Sequence, residues 1–249
     1  MAETSSLDEA IDAFVQGYCF QRAFNHPYLC ERREGIWRLF DAPRSKGSPR
    51  REEFVCHGMA PEKVHRAVVK RAQGHYCLCP IHVDGEDLDG LRDEYKSLGY
   101  RLNGTEFFMV HGLKRIPRVD APVPLEPVTT PEMVARLAKR AARRQILTEH
   151  LTEDPAPQRS YVALIDDLIV GWVNSIVTDE AAYCGGMYVY PEFRRRGIAR
   201  SLLARMLRDD RAGGAQQAVL LASHAGAKLY PVVGYRQLGT MMVLTPKRR

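Results

Sequence analysis

Arg194-Arg195-Arg196-Gly197-Ile198-Ala199 combine residue types and spacing suited to holding a polyanion. They follow a strand-like run, Met187-Tyr188-Val189-Tyr190, that turns at Pro191. After them Ile198, Leu202, Leu203, Met206 and Leu207 recur at helical spacing with arginines opposite, the pattern of an amphipathic helix. A glycine and a small alanine where a helix opens leave backbone N–H groups uncovered, so an anion can approach them closely. Neighbouring guanidinium groups add the charge a pyrophosphate needs. A basic loop opening an ordinary surface helix has the same composition. Strand, glycine turn and amphipathic helix in succession favour a phosphate cradle.

Other residues invite chemistry less clearly. Gly185-Gly186 interrupt a β-rich run, which marks a bulge or a close backbone approach. His75, Cys77 and Cys79 suggest zinc, but alternation puts all three on one face of a strand. One extended segment does not wrap a tetrahedral ion, and no second closely spaced cysteine pair exists, so core thiols are expected and no metal. Glu149, His150, Glu153 and His224 are of the right type for a general base, and none is singled out by its context.

The elements that must position the cradle follow from periodicity and punctuation. In the first half these are a helix over 7–21 started near Ser6 or Asp8, a hairpin over 28–40 around Arg33-Glu34-Gly35, a polar loop over 41–51 and a strand over 53–58. A helix from Pro61, a strand over 76–83, a helix over 88–98 and two strands meeting at Asn103-Gly104 come next. Pro117, Pro122, Pro124 and Pro127 then argue for an extended linker. Beyond it come a short strand over 125–128 and a helix from Pro131 capped by Thr130. Residues 145–157 read as a short helix and loop, followed by strands over 161–165, 168–177 and 183–190. The cradle helix runs to Arg211, then come a strand over 219–222, a helix over 225–230 and a closing hairpin around Gly239.

With the loop in that order of elements, the chain from about residue 123 onward resembles the GNAT superfamily of acetyl-CoA-dependent N-acetyltransferases. The family loop reads Arg or Gln, any two, Gly, any one, Gly or Ala, and residues 194–199 fit every fixed position. The first half repeats the order with its beginning shortened, and Leu98-Gly99-Tyr100-Arg101 and Val233-Gly234-Tyr235-Arg236 occupy matching places. The expected fold is α/β (α+β), with two GNAT-like domains, each a mostly antiparallel mixed sheet flanked by helices. The expected boundaries are a degenerate domain over 1–117, a Pro-rich linker over 118–127 and an acetyl-CoA-binding catalytic domain over 128–249. At the cradle position the first half has Met59-Ala60-Pro61-Glu62-Lys63, with an acid and no Gly-x-Ala, so that half is expected to be catalytically dead.

The resemblance implies acetyl transfer from acetyl-CoA to a primary amine. Arg194, Arg195, Arg196, Gly197, Ile198 and Ala199 would hold the pyrophosphate, and backbone groups of Met187 and Val189 would pair with the pantetheine arm. An N–H near Tyr188 or Val189 would face the thioester oxygen. Tyr230 is the family-like general acid, although a buried aromatic packing residue reads equally well there. Ser223 stands where the family commonly has a cofactor-binding Asn.

The 249-residue chain is 45% apolar, ordinary for a soluble globular protein. Its opening residues are acidic with no apolar core, unlike a secretory leader, and no run suits a membrane helix. Six scattered cysteines fit a reduced, cytoplasmic setting. Residues 1–120 balance 18 basic against 18 acidic side chains, whereas residues 121–249 hold 18 against 12, so the +6 excess lies with the cradle. Such a field concentrates a polyanion such as coenzyme A. Nucleic acid is disfavoured, because the basic helix over 131–144 lacks interleaved aromatics. A non-catalytic acyl-CoA-binding regulatory module is the alternative. The acceptor, a small-molecule or protein amine, is open, and a homodimer is compatible with this reading.

Overall fold

Helix α1 (Leu7–Arg22) opens the computed structural model, which describes residues 7–247; the expected cap at Ser6 lies outside them. There follow β1 (Tyr28–Arg33), β2 (Ile36–Asp41), β3 (Glu52–His57), α2 (Pro61–Arg71), β4 (Tyr76–Val83), α3 (Leu88–Ser97) and β5 (Tyr100–His111). The rest comprises β6 (Leu125–Pro127), α4 (Pro131–Ala141), β7 (Gln158–Ile165), β8 (Leu168–Thr178), β9 (Ala181–Val189), α5 (Ile198–Ala212), β10 (Gln217–Ala222) and β11 (Arg236–Pro246). The fold is mixed α/β, as expected.

Two compact units emerge, and neither is a continuous half. The cradle unit takes the described residues up to Phe24 with Val110–Leu220 and Lys228–Arg236. The companion unit takes Asn25–Met109, Leu221–Ala227 and the chain from Gln237 on. The division differs from the expected boundary at 118–127 for two reasons. Helix α1 docks on β8 and β9, and a Cβ at Gly17 would lie 2.3 Å from the Cβ of Tyr183, so glycine permits the approach. At the other end, β11 pairs antiparallel with β4, carrying the last strand into the companion unit.

In the cradle unit the strands run β6-β7-β8-β9-β10, antiparallel except for β9 with β10. Helix α4 starts as expected: Pro131 needs no N–H partner, and Met133 N–H donates to Thr130 Oγ1 at 3.3 Å. Its apolar side, Val134 and Leu137, packs on Val162, Leu164 and Trp172. The proline-rich stretch is not a free linker. Arg208 donates to the Pro117 carbonyl, Ser201 Oγ to the Asp120 carbonyl, and Leu164 N–H to Pro124 O at 3.0 Å, so the segment is tied to α5 and β7.

The companion unit orders its strands β1-β2-β3-β4-β11-β5, with β3 and β4 parallel. The two hairpins expected around Asn103-Gly104 and Gly239 are single strands, β5 and β11. Asn103 Nδ2 donates to Thr245 Oγ1 at 3.0 Å on the neighbouring strand. A Cβ on Gly239 would lie 2.3 Å from the His82 carbonyl oxygen, so this glycine serves close strand packing. Residues 225–229 form turns, not the expected helix, and a 3₁₀ turn spans Tyr230–Val233 with Pro231 inside it.

His111 braces that turn. Its Nδ1 accepts from Leu113 N–H at 2.9 Å, which leaves Nε2 to donate to Val233 O at 3.0 Å, a neutral ring by construction. Burial depresses its pKa below 6.5, and burial does the same at His82 and His150. The unfolded chain therefore takes protons first, so this stability is present above pH 6.5 and is lost as pH falls. Each histidine contributes a slope of up to about 1.4 kcal/mol per pH unit. The urea midpoint is expected to drop between pH 7.5 and 5.5, and less steeply in His111→Asn. A midpoint equally flat in both proteins would contradict this.

Candidate active site

The cradle loop alternates its backbone handedness. Arg194 is extended (φ −68°, ψ 164°), Arg195 has φ +65°, and Gly197 has φ +82° before α5 begins. Successive N–H groups in turns of alternating sign form a concavity suited to anions. No side chain caps α5 at Gly197, and its first turn holds no acid, so the positive end of the helix is uncompensated. Arg194 Nε donates to Val189 O at 2.8 Å and Arg196 to Glu192 O at 3.0 Å, so backbone carbonyls fix two of the three guanidinium groups. All three arginines are exposed. Residues 194–199, brought together in this way, fit a pyrophosphate.

Above the loop the strands part. β9 and β10 pair for only three residues, Ala181 to Tyr183 against Gln217 to Val219, although β9 continues to Val189. The expected bulge lies just beyond. Trp172 faces Tyr188 and Asn174 faces Gly185, so Gly186 and Met187 together oppose Val173. Gly186 has φ +64°, and a Cβ there would be 2.6 Å from Asn174 Nδ2. Met187 and Val189 thus lie on a strand stretch whose edge is not paired with β10. In the companion unit the equivalent pair, β3 and β4, matches six consecutive residues without parting. There Pro61 removes an N–H from the α2 mouth and Glu62 occupies its first turn.

Tyr230 opens the 3₁₀ turn and does not close a helix. It is 8% exposed, beside Tyr183 and Cys184 where the ladder ends, and its ring meets Tyr235 at 5.6 Å. Burial pushes its phenol pKa well above 10. Ser223 is exposed and belongs to the companion unit, where its Oγ accepts from Gly226 N–H at 3.2 Å. Among the base candidates, His150 is buried against Phe20 and Phe24 with Nδ1 facing Leu147 N–H. His224 bonds Thr105 Oγ1 and meets the Phe107 ring edge-to-face in the companion unit. Glu149 and Glu153 are exposed. The structure assembles no base from them.

Residues 156–237, from β7 through the turn with Tyr230, match the family model of the acetyltransferase (GNAT) domain. This part of the chain is a GNAT domain. A GCN5-related N-acetyltransferase from Kribbella flavida matches with a TM-score of 0.65 at 14% identity, over 99% of this chain and 98% of its own. A GCN5-related N-acetyltransferase from Sphaerobacter thermophilus gives 0.56 at 18%, over 84% and 76%. A tandem GNAT protein from the clavulanic acid biosynthesis pathway gives 0.51 at 13%, over 86% and 79%. At such identities the likeness speaks for the fold. Among curated proteins nothing matches the sequence.

Sequence reading missed the polar groups behind the bulge of the GNAT domain. Gln145, Gln158, Ser160 and Asn174 are buried and bonded to one another. Gln158 and Ser160 two apart in β7, with Asn174 inside the apolar run of β8, were the available signal.

Proposed function

We propose that the protein is an N-acetyltransferase that moves an acetyl group from acetyl-CoA to a primary amine. The observation that carries this reading is the parting of β9 from β10 directly above an uncapped, arginine-flanked helix mouth. Backbone N–H groups from Arg195 to Ala199, with the side chains of Arg194 to Arg196, would hold the pyrophosphate. Backbone groups of Met187 and Val189 would pair with the pantetheine amides along the open strand edge. Bound acetyl-CoA supplies an activated thioester carbonyl. An N–H at Tyr188 or Val189 would face the oxygen of that carbonyl, where charge builds in the transition state. Tyr230 keeps its proton and would donate a hydrogen bond to the leaving sulfur as it gains charge.

The companion unit is proposed to be the silent half of a tandem pair, because its parallel strands do not part and its helix mouth is acidic. One coenzyme A per chain is therefore expected in calorimetry, and a stoichiometry near two would refute the silent half. Release of free thiol, measured against an amine panel, tests the activity. Tight binding of coenzyme A with no thiol release from any amine would favour a non-catalytic acyl-CoA-binding module. A reducing, cytoplasmic setting is proposed; among the described residues no helix is long and apolar enough to cross a membrane.

A further inference from the structure

The companion unit has its own hollow at the mouth of α2, the place where the cradle unit carries its glycine turn. A cavity of about 480 Å³ lies there, bounded by Gly58, Met59 and Ala60 on one side and by the start of α3 on the other. Among the described residues, its wall holds the carboxylates of Glu86, Asp87 and Glu94 and no lysine or arginine. A second hollow of about 360 Å³ shares Gly90 and Glu94 with it and adds Glu62 and Asp93. All five acids are exposed, so the groove they line opens to water. Two of them also serve the helices: Asp87 caps α3 by accepting from Gly90 N–H at 3.0 Å, and Glu62 lies in the first turn of α2. Glu94 lies beyond the first turn of α3, where a helix N-terminus no longer stabilises a carboxylate.

At the floor of the first hollow is His82, 5% exposed, where the other lining residues are half-buried or exposed. Its side chain leaves β4 on the same face as Leu78, which packs with Val64, Val68 and Tyr95 of α2 and α3, so the ring is directed between those helices. Nδ1 faces Glu86 Oε2 at 3.0 Å. A carboxylate accepts, so Nδ1 carries the proton and Nε2 presents a bare lone pair. Burial holds the ring's pKa below 6.5 and keeps it in this neutral form at pH 7. Nε2 is buried and has no partner. Such an acceptor is costly to leave unmade, and the partner it lacks is an N–H donor.

We infer that this groove is a binding site for a linear polyamine, one amine donating to His82 and the others meeting the carboxylates. The lone pair and the acids call for the same chemistry, N–H groups that carry positive charge. The spread of the acids sets the shape of the ligand. Among the described residues no three such groups converge to hold a metal ion, so a chain of spaced charges fits where one compact cation does not. Both hollows are of small-molecule size. The helix mouth that serves anions in the cradle unit is turned here to cations, and this holds whatever reaction the cradle unit performs.

Calorimetric titration of the intact protein with spermidine at low ionic strength tests this, since salt screens exposed charges. A spermidine site is expected that prefers spermidine to putrescine, one ammonium shorter, by about fivefold or more. Glu94→Gln keeps the side-chain shape and removes one charge. It is expected to weaken spermidine about fivefold, with the unfolding midpoint and coenzyme A affinity unchanged. His82→Phe removes the lone pair and is expected to weaken spermidine as well. If that variant fails to fold, the ¹⁵N resonance of His82 Nε2 in the unaltered protein is expected to shift on addition of spermidine. No binding at millimolar spermidine overturns the inference. So does unchanged affinity in Glu94→Gln, which would place the polyamine elsewhere on the chain. Displacement of spermidine by an equal concentration of magnesium overturns it too, by making the groove a surface for any counter-ion. Each readout is binding, so these outcomes stand apart from whether any amine releases thiol from acetyl-CoA.

Discussion

Gly197→Glu is expected to abolish acetyl-CoA binding while the protein stays folded. Gly197 has φ +82°, a conformation that costs an ordinary residue roughly 1–2 kcal/mol. The nearest atom to a Cβ there is Pro122 Cγ at 3.9 Å, so the added side chain meets no wall. An acid at the uncapped mouth of α5 also interacts favourably with the helix dipole, worth roughly 0.3–1 kcal/mol, which offsets part of the strain. The net loss of stability is thus small beside the stability of a domain. Binding has no such compensation. The new carboxylate occupies the helix end that the pyrophosphate needs and repels it across a few ångströms. Gly197→Ala separates the two effects, since it imposes the strain without the charge and should weaken binding far less. Calorimetry on the folded glutamate variant is the check, and unchanged affinity would remove the cradle from α5.

Much of that cradle was legible because its signals are local. Gly197, the arginines before it and the apolar stripe from Ile198 to Leu207 lie within fourteen residues, and backbone preference and periodicity act on that scale. Thr130 and Pro131 announced the start of α4 in the same way. Long-range pairing was not legible. Asn103-Gly104 and Gly239 carry the chemistry of turns, yet the first reaches Thr245 and the second makes room for the His82 carbonyl. The placement of α1 depends on Gly17 meeting Tyr183, two residues that no local pattern connects. The carboxamide cluster was hidden for the same reason. Gln158 and Asn174 look like ordinary polar positions in strands until the bulge at Gly186 brings Gln145 onto them.

Tyr230→Phe is expected to lower kcat by about 10- to 100-fold and to leave acetyl-CoA affinity nearly unchanged. The ring sits in a buried site against Tyr235, and the braced 3₁₀ turn holds it through Val233 and His111. Phenylalanine keeps that packing, so the fold should survive. The lost hydroxyl lies beside Tyr183 and Cys184, where β9 and β10 stop pairing. Its environment limits what it can do. Burial raises the phenol well above 10, whereas an ordinary thiol titrates near 8.5, so complete proton transfer to sulfur runs uphill. The hydroxyl instead donates a hydrogen bond that strengthens as the sulfur gains charge. An interaction of this kind belongs to the transition state and appears in turnover, not in ground-state binding. It also falls at or below the low end of general acid catalysis, about 100-fold. Because the phenol stays protonated, the alkaline limb of the pH–rate profile should be the same in both proteins. A variant that turns over at the wild-type rate would make Tyr230 a packing residue, and a lost alkaline limb would make it a true acid.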